Sequence, residues 1–136
     1  MAKMKAILVA VDGSETSDRA VRHALDLVSA GLTAELHFLN VQPNLGGAVS
    51  TFVSREQIDS HHRDEGTKAL ASSVELAKKA SVPAKVHIGV GRQGEIVGDY
   101  VDKLGAGMVV LGTRGHTGPH DLGHAGDVVG RRGLVR

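Results

Sequence analysis

A chain of 136 residues has the size of one domain, long enough to bury roughly two-thirds of the surface that its unfolded form exposes. Its 16 Lys and Arg stand against 15 Asp and Glu, so there is no overall field to draw nucleic acid or an anionic membrane. The absence of cysteine excludes disulfides, thiolate metal sites and thiol nucleophiles together, and an aromatic content of 2% requires an aliphatic core.

Lysines precede the apolar run in "MAKMKAILVAVDGS", but Asp12 interrupts it straight after Val11, and no export signal is read. No apolar segment approaches the about 20 residues that span a bilayer, and the expectation is a soluble, cytoplasmic protein. The run "AILVAV" (6–11) is continuously apolar and bounded by Asp12-Gly13, as a strand buried on both faces would be. A helix follows, with Ala20, Val21, Ala24, Leu25 and Val28 at helical spacing, Ser14 or Ser17 to cap it and Gly31 to end it. The second strand is "AELHFLNV" (34–41), closed by Gln42-Pro43 and a polar loop through Ser50 that reads as a lid.

Ser54-Arg55-Glu56-Gln57 matches a capping box and opens a long helix to about Ala80, with Leu70, Val74 and Ala77 inward. Its first turns, which carry His61, His62, Asp59 and Asp64, read as a solvated helix start. Pro83 precedes a third strand, "AKVHIGV" (84–90), on which His37's counterpart His87 reads, like His37 itself, as a satisfied structural residue. A third helix then uses Ile96, Val97, Tyr100, Val101 and Leu104 and closes at Gly105, and "MVVL" (108–111) is the fourth strand. Strands and helices in strict alternation predict a doubly wound parallel sheet with right-handed crossovers. In such sheets the ligand crevice lies outside the carboxyl ends of the strands, where the winding reverses. With strand one central, between strands two and four, Asp12-Gly13 and residues 112–118 flank one crevice.

Two glycine-rich turns compete for a phosphate. Gly89-Val90-Gly91-Arg92-Gln93-Gly94 is a literal G-x-G-x-x-G, but it follows the third strand instead of the first, and no acidic residue stands about 20 positions on. It reads as a flexible turn, with Glu95 well placed at a helix amino end. The segment "GTRGHTGPHDLGHAGD" (112–127) has better chemistry: glycines let backbone N–H groups converge on an anion, while Arg114 and His116 add donors. No G-x-x-x-x-G-K-[ST] is present, so a P-loop is excluded.

The stretches "ILVAVDGSETSDRAVRHALDLV", "LHFLNVQP" and "MVVLGTRGHTGPHDL" closely resemble the universal stress protein family in sequence, spacing and order, over residues 4–122. The resemblance implies a flavodoxin-like (Rossmann-like) α/β domain, usually of five strands, that in many members binds ATP, often as a homodimer, and supports stress survival. It places Asp12, with Val11 before it, at the adenosine end and Val41 at the adenine edge. Leu111, Gly112, Arg114, Gly115 and His116 then approach the phosphates, with any Mg that accompanies ATP. The family pattern continues from Gly112 and Gly115, after nine residues, to a glycine followed by Ser or Thr. Here Ala125-Gly126-Asp127 takes that place, with Gly126 as the glycine and an aspartate that repels phosphate. The tail 123–136 departs further, because glycines at 123, 126, 130 and 133 disfavour a helix and no usual fifth strand is visible. That strand mediates pairing in many family dimers, so its loss would leave strand four as an exposed edge.

Other chemistries fit less well. His116, His120 and His124 recur every four residues, but Pro119 and the glycines prevent the helix that would align them on a metal. A slow ATP hydrolase would use Asp12 as an acid–base or metal-binding group, with Arg114 and His116 against developing charge; no nucleophile–base pair is visible. The alternatives to a nucleotide sensor are therefore that hydrolase and a nucleotide-independent interaction module of the same fold.

Overall fold

The structure, a computed structural model, describes residues 3–45, 53–111, 127–130 and 133–135. Four parallel strands, β1 (Lys3–Ala10), β2 (Thr33–Gln42), β3 (Ala84–Val90) and β4 (Ala106–Leu111), lie in the order β3-β2-β1-β4. Helices α1 (Glu15–Ser29), α2 (Arg55–Lys79) and α3 (Gln93–Leu104) connect them. Strand one is central, with Ala10 beside Leu39 on one flank and Leu111 on the other. The flavodoxin-like doubly wound sheet expected from the alternation of elements is present.

Local chemistry sets each boundary. Ser14 Oγ accepts from the Ser17 N–H at 3.2 Å to cap α1, and Ser54 and Gln57 form the reciprocal capping box of α2. Gly105 ends α3 in the left-handed conformation, φ 67°, which glycine adopts without a Cβ penalty. Alternation along the strands then sorts the core into two layers. Ile7, Val9, Val11, Leu36 and Phe38 pack under α1 and α2, whereas Ala6, Leu8, Leu39 and Val109 pack under Val101 of α3. The crossovers β1-α1-β2 and β2-α2-β3 thus cover one face and β3-α3-β4 the other, so the winding reverses between β1 and β4.

The expectation of an exposed β4 edge is corrected. A strand β5 (Asp127–Gly130) pairs antiparallel with β4, Leu111 opposite Asp127 and Met108 opposite Gly130, and β6 (Gly133–Val135) pairs antiparallel with β5. The usual parallel fifth strand is indeed missing among the described residues, and this short meander takes its flank. Backbone N–H and C=O groups supply the ladder, so a segment with too many glycines for a helix still satisfies the edge.

Candidate functional site

Val11 carries the ladder one residue beyond β1, its N–H donating to the Leu39 carbonyl at 2.8 Å. The chain then turns at Gly13, φ 83°, where a Cβ would stand 3.2 Å from Ala69 Cα of α2. The turn is therefore pressed against α2, and only glycine suits both its backbone and that approach. Asp12 is exposed, and its Oδ1 accepts from the Ser14 N–H at 2.9 Å, which joins the turn to the start of α1.

Beside the turn, β2 ends in amides instead of aliphatic groups. The buried Asn40 donates from Nδ2 to the Val11 carbonyl at 2.8 Å and accepts from Gln42 Nε2 at 2.6 Å. The Gln42 carbonyl accepts in turn from the Gly91 N–H at 3.0 Å. These groups bound a cavity of about 410 Å³ formed by Asp12, Gly13, Asn40, Val41 and Gln42 with Glu65, Lys68 and Ala69 of α2. Lys68 Nζ lies 3.2 Å from Glu65 Oε2 at its mouth. Carboxylates and amides in one hollow suit a ligand rich in hydroxyl and amino groups, and leave a single ammonium for an anion.

Of the residues assigned to a ligand from the sequence, Val11, Asp12, Val41 and Leu111 come together at the carboxyl ends of the central strands. Gly112, Arg114, Gly115, His116 and Gly126 lie outside the described residues, as do His120, His124 and the greater part of the lid, 46–50. Among the described residues no three His, Cys, Asp or Glu side chains are arranged around a metal. Sequence reasoning missed Asn40, Gln42, Glu65 and Lys68. An Asn inside the apolar run "HFLNV" was the one available signal, whereas the α2 pair becomes visible only once the topology sets that helix beside the turn.

The second glycine turn has a packing reason. A Cβ on Gly89 would stand 2.5 Å from Ile96 Cγ2, and Gly91, φ 146°, is likewise close to Ile96, so the turn lets α3 approach β3. His37 and His87 satisfy each other, Nδ1 to Nε2 at 2.9 Å with rings stacked 5.1 Å apart, and His37 Nε2–H donates to Glu35 Oε1 at 3.1 Å. That bond and the Lys85 ammonium hold the Glu35 carboxyl below its usual range, and burial, then His37, Lys103 and Lys85, pushes His87 down. His62 departs from expectation: it is buried, and its ring bonds to the Pro43 carbonyl at 3.1 Å, because α2 folds back against the chain leaving β2. A separate hollow of about 470 Å³, between Leu45, Val53, Ile58 and Val90, adjoins it.

The sequence pattern of the universal stress protein family matches residues 3–131. A universal stress protein of Methanocaldococcus jannaschii is 27% identical over 117 residues, 84% of this chain and 67% of that one. Among solved structures, a universal stress protein family member from Burkholderia pseudomallei superposes with a TM-score of 0.64 at 23% identity, covering 80% of this chain and 81% of its own. One from Arabidopsis thaliana, with AMP bound, gives a TM-score of 0.58 at 19% identity, covering 85% and 79%.

Proposed function

Because the chain belongs to the universal stress protein family, we propose that it binds an adenine nucleotide in the crevice beside β1 and acts as a nucleotide-dependent stress-response sensor. The observation that carries this reading is the cavity at the carboxyl ends of β1 and β2, beside the β1 strand at which the winding reverses, with Asp12, Asn40 and Val41 in its wall. AMP in the Arabidopsis thaliana relative supports the ligand class. In this reading the nucleoside lies against Asp12 and Val41, and ATP, with Mg, extends past Leu111 toward Gly112, Arg114, Gly115, His116 and Gly126.

Calorimetric titration with AMP and with ATP and Mg tests it. Wild-type protein should bind at least one, and Asp12→Ala should bind about tenfold more weakly, the equivalent of about 1.4 kcal/mol, with little change in melting temperature. Absence of binding to either nucleotide overturns the reading; equal affinity in the variant overturns the place given to Asp12.

A second reading, the nucleotide-independent interaction module, draws on one observation: Asp127 pairs in register with Leu111, at the crevice end of β4. A carboxylate there opposes a polyphosphate. If Asp127→Ser gains ATP affinity while AMP affinity stays level, the charge at that position selects against long phosphate tails.

A further inference from the structure

We infer that Asn40 is a positioning residue that sets the Asp12-Gly13 turn for the ligand, an inference that rests on the adenine-nucleotide reading. Asn40 stands on β2 with its neighbours Phe38 and Leu39 fully buried and is itself 4% exposed. A polar amide in such a place is costly unless its groups are paired. One Nδ2–H donates to the Val11 carbonyl at 2.8 Å and Oδ1 accepts from Gln42 Nε2 at 2.6 Å.

The bond to Val11 is the informative one. Val11 is the last residue of the β1 rail before Asp12, and its N–H is already fixed on the Leu39 carbonyl. The Val11 N–H belongs to the Ala10–Val11 peptide and the Val11 carbonyl to the Val11–Asp12 peptide, so fixing the carbonyl as well holds both planes that flank the Val11 Cα. The Val11–Asp12 plane sets the direction in which Asp12 leaves the sheet, while Gly13 against Ala69 and Ser14 on Asp12 Oδ1 fix the far side of the turn. The side chain thus positions a wall residue while the Asp12 carboxylate stays exposed beside the ligand. Gln42 restrains Asn40 so that Nδ2, and not Oδ1, faces Val11: the Gln42 amide nitrogen can only donate, and it occupies the acceptor end.

Asn40→Asp separates positioning from mere support of the fold. An ionised aspartate cannot donate to the Val11 carbonyl and repels it, whereas the protonated acid restores one O–H donor, and burial raises the pH at which that proton is held. The ratio of variant to wild-type AMP affinity should be near one at pH 5 and fall about tenfold at pH 8, with the Asp12, Gly13 and Ser14 amide resonances moving in step. Taking the ratio at each pH cancels titration of AMP itself. Affinity that is equal to wild type at both pH values, or lost equally at both, overturns the inference.

The turn can also be read without ligand. If wild-type protein binds no AMP the nucleotide reading falls, yet amides displaced at pH 8 and restored at pH 5 still establish the positioning bond, and amides that do not move refute it. Should Asn40→Asp fail to fold at pH 8, hydrogen exchange of the Asn40 carboxamide in wild-type protein decides: slow exchange supports the bond, and exchange at the rate of an exposed amide removes it.

Discussion

Phe38 and His37 are adjacent on β2 and face opposite sides of the sheet. Phe38 enters the layer covered by two helices, α1 and α2, in an apolar cluster with Ile7, Val9, Val21 and Leu36. His37 faces the side that α3 alone covers, and there the flank of β2 and β3 is filled by the bonded series Glu35, His37 and His87, with Tyr100 against the second ring. Both residues are almost inaccessible, 0% and 2% exposed. Burial alone therefore says little about what holds a residue: the first depends on shape, the second on two hydrogen-bond partners, Glu35 and His87.

The largest effect should come from Phe38→Ala, expected to cost about 3–5 kcal/mol in chemical denaturation because α1 and α2 cannot collapse into the space left. His37→Leu should cost less, about 1–3 kcal/mol, through stranding the His87 ring nitrogen. AMP affinity should stay level in this variant, since the pair lies near the middle of β2 and β3 and lines no part of the cavity; if it also loses AMP, the two regions are coupled and the contrast fails.

A pH series sharpens the difference further. His87 is held below its ordinary 6.5, so the unfolded chain takes up a proton that the folded chain refuses. Its contribution is full above pH 6.5 and is lost as pH falls below that value, and His87→Gln, which keeps a donor without titrating, should flatten the stability curve there. Glu35, held below its ordinary 4.5, contributes above that value and loses its contribution only in stronger acid. Phe38→Ala should lower the curve without changing its slope. The smallest effect belongs to Lys85→Ala, within about 0.5 kcal/mol, because its ion pair with Glu35 spans 3.9 Å between exposed side chains.

The frame was legible wherever a local rule acted alone. Short apolar runs gave β1 to β4, and Ser14, Ser54 and Gly105 marked helix ends within a residue or two, since caps satisfy backbone groups nearby in sequence. Asp12 was legible for the same reason, as the first polar residue of a strand-to-helix turn. Residues whose meaning depends on a distant partner were not. Asn40 looks like an interruption until Val11 is beside it, His62 looks solvated until Pro43 returns over it, and Glu65 and Lys68 are ordinary helix-surface charges until Gly13 abuts Ala69. The β5 and β6 strands had no period to read, because four residues and three are too few to show an alternation.

The order in which the two layers are completed has a consequence during synthesis. Every described wall of the cavity comes from residues 12–69, and the buried residues of the apolar layer under α1 and α2 come from residues 7–77 with the exception of Val110. Ala6, Leu8 and Leu39 on the reverse side must wait for Val101 and Val109. A ribosome adding about 5–20 residues per second therefore holds, for several seconds, a nascent chain with one side complete but for its β3 and β4 residues and one sticky side. Premature release or a pause in that interval would present the bare side to chaperones and to other nascent copies.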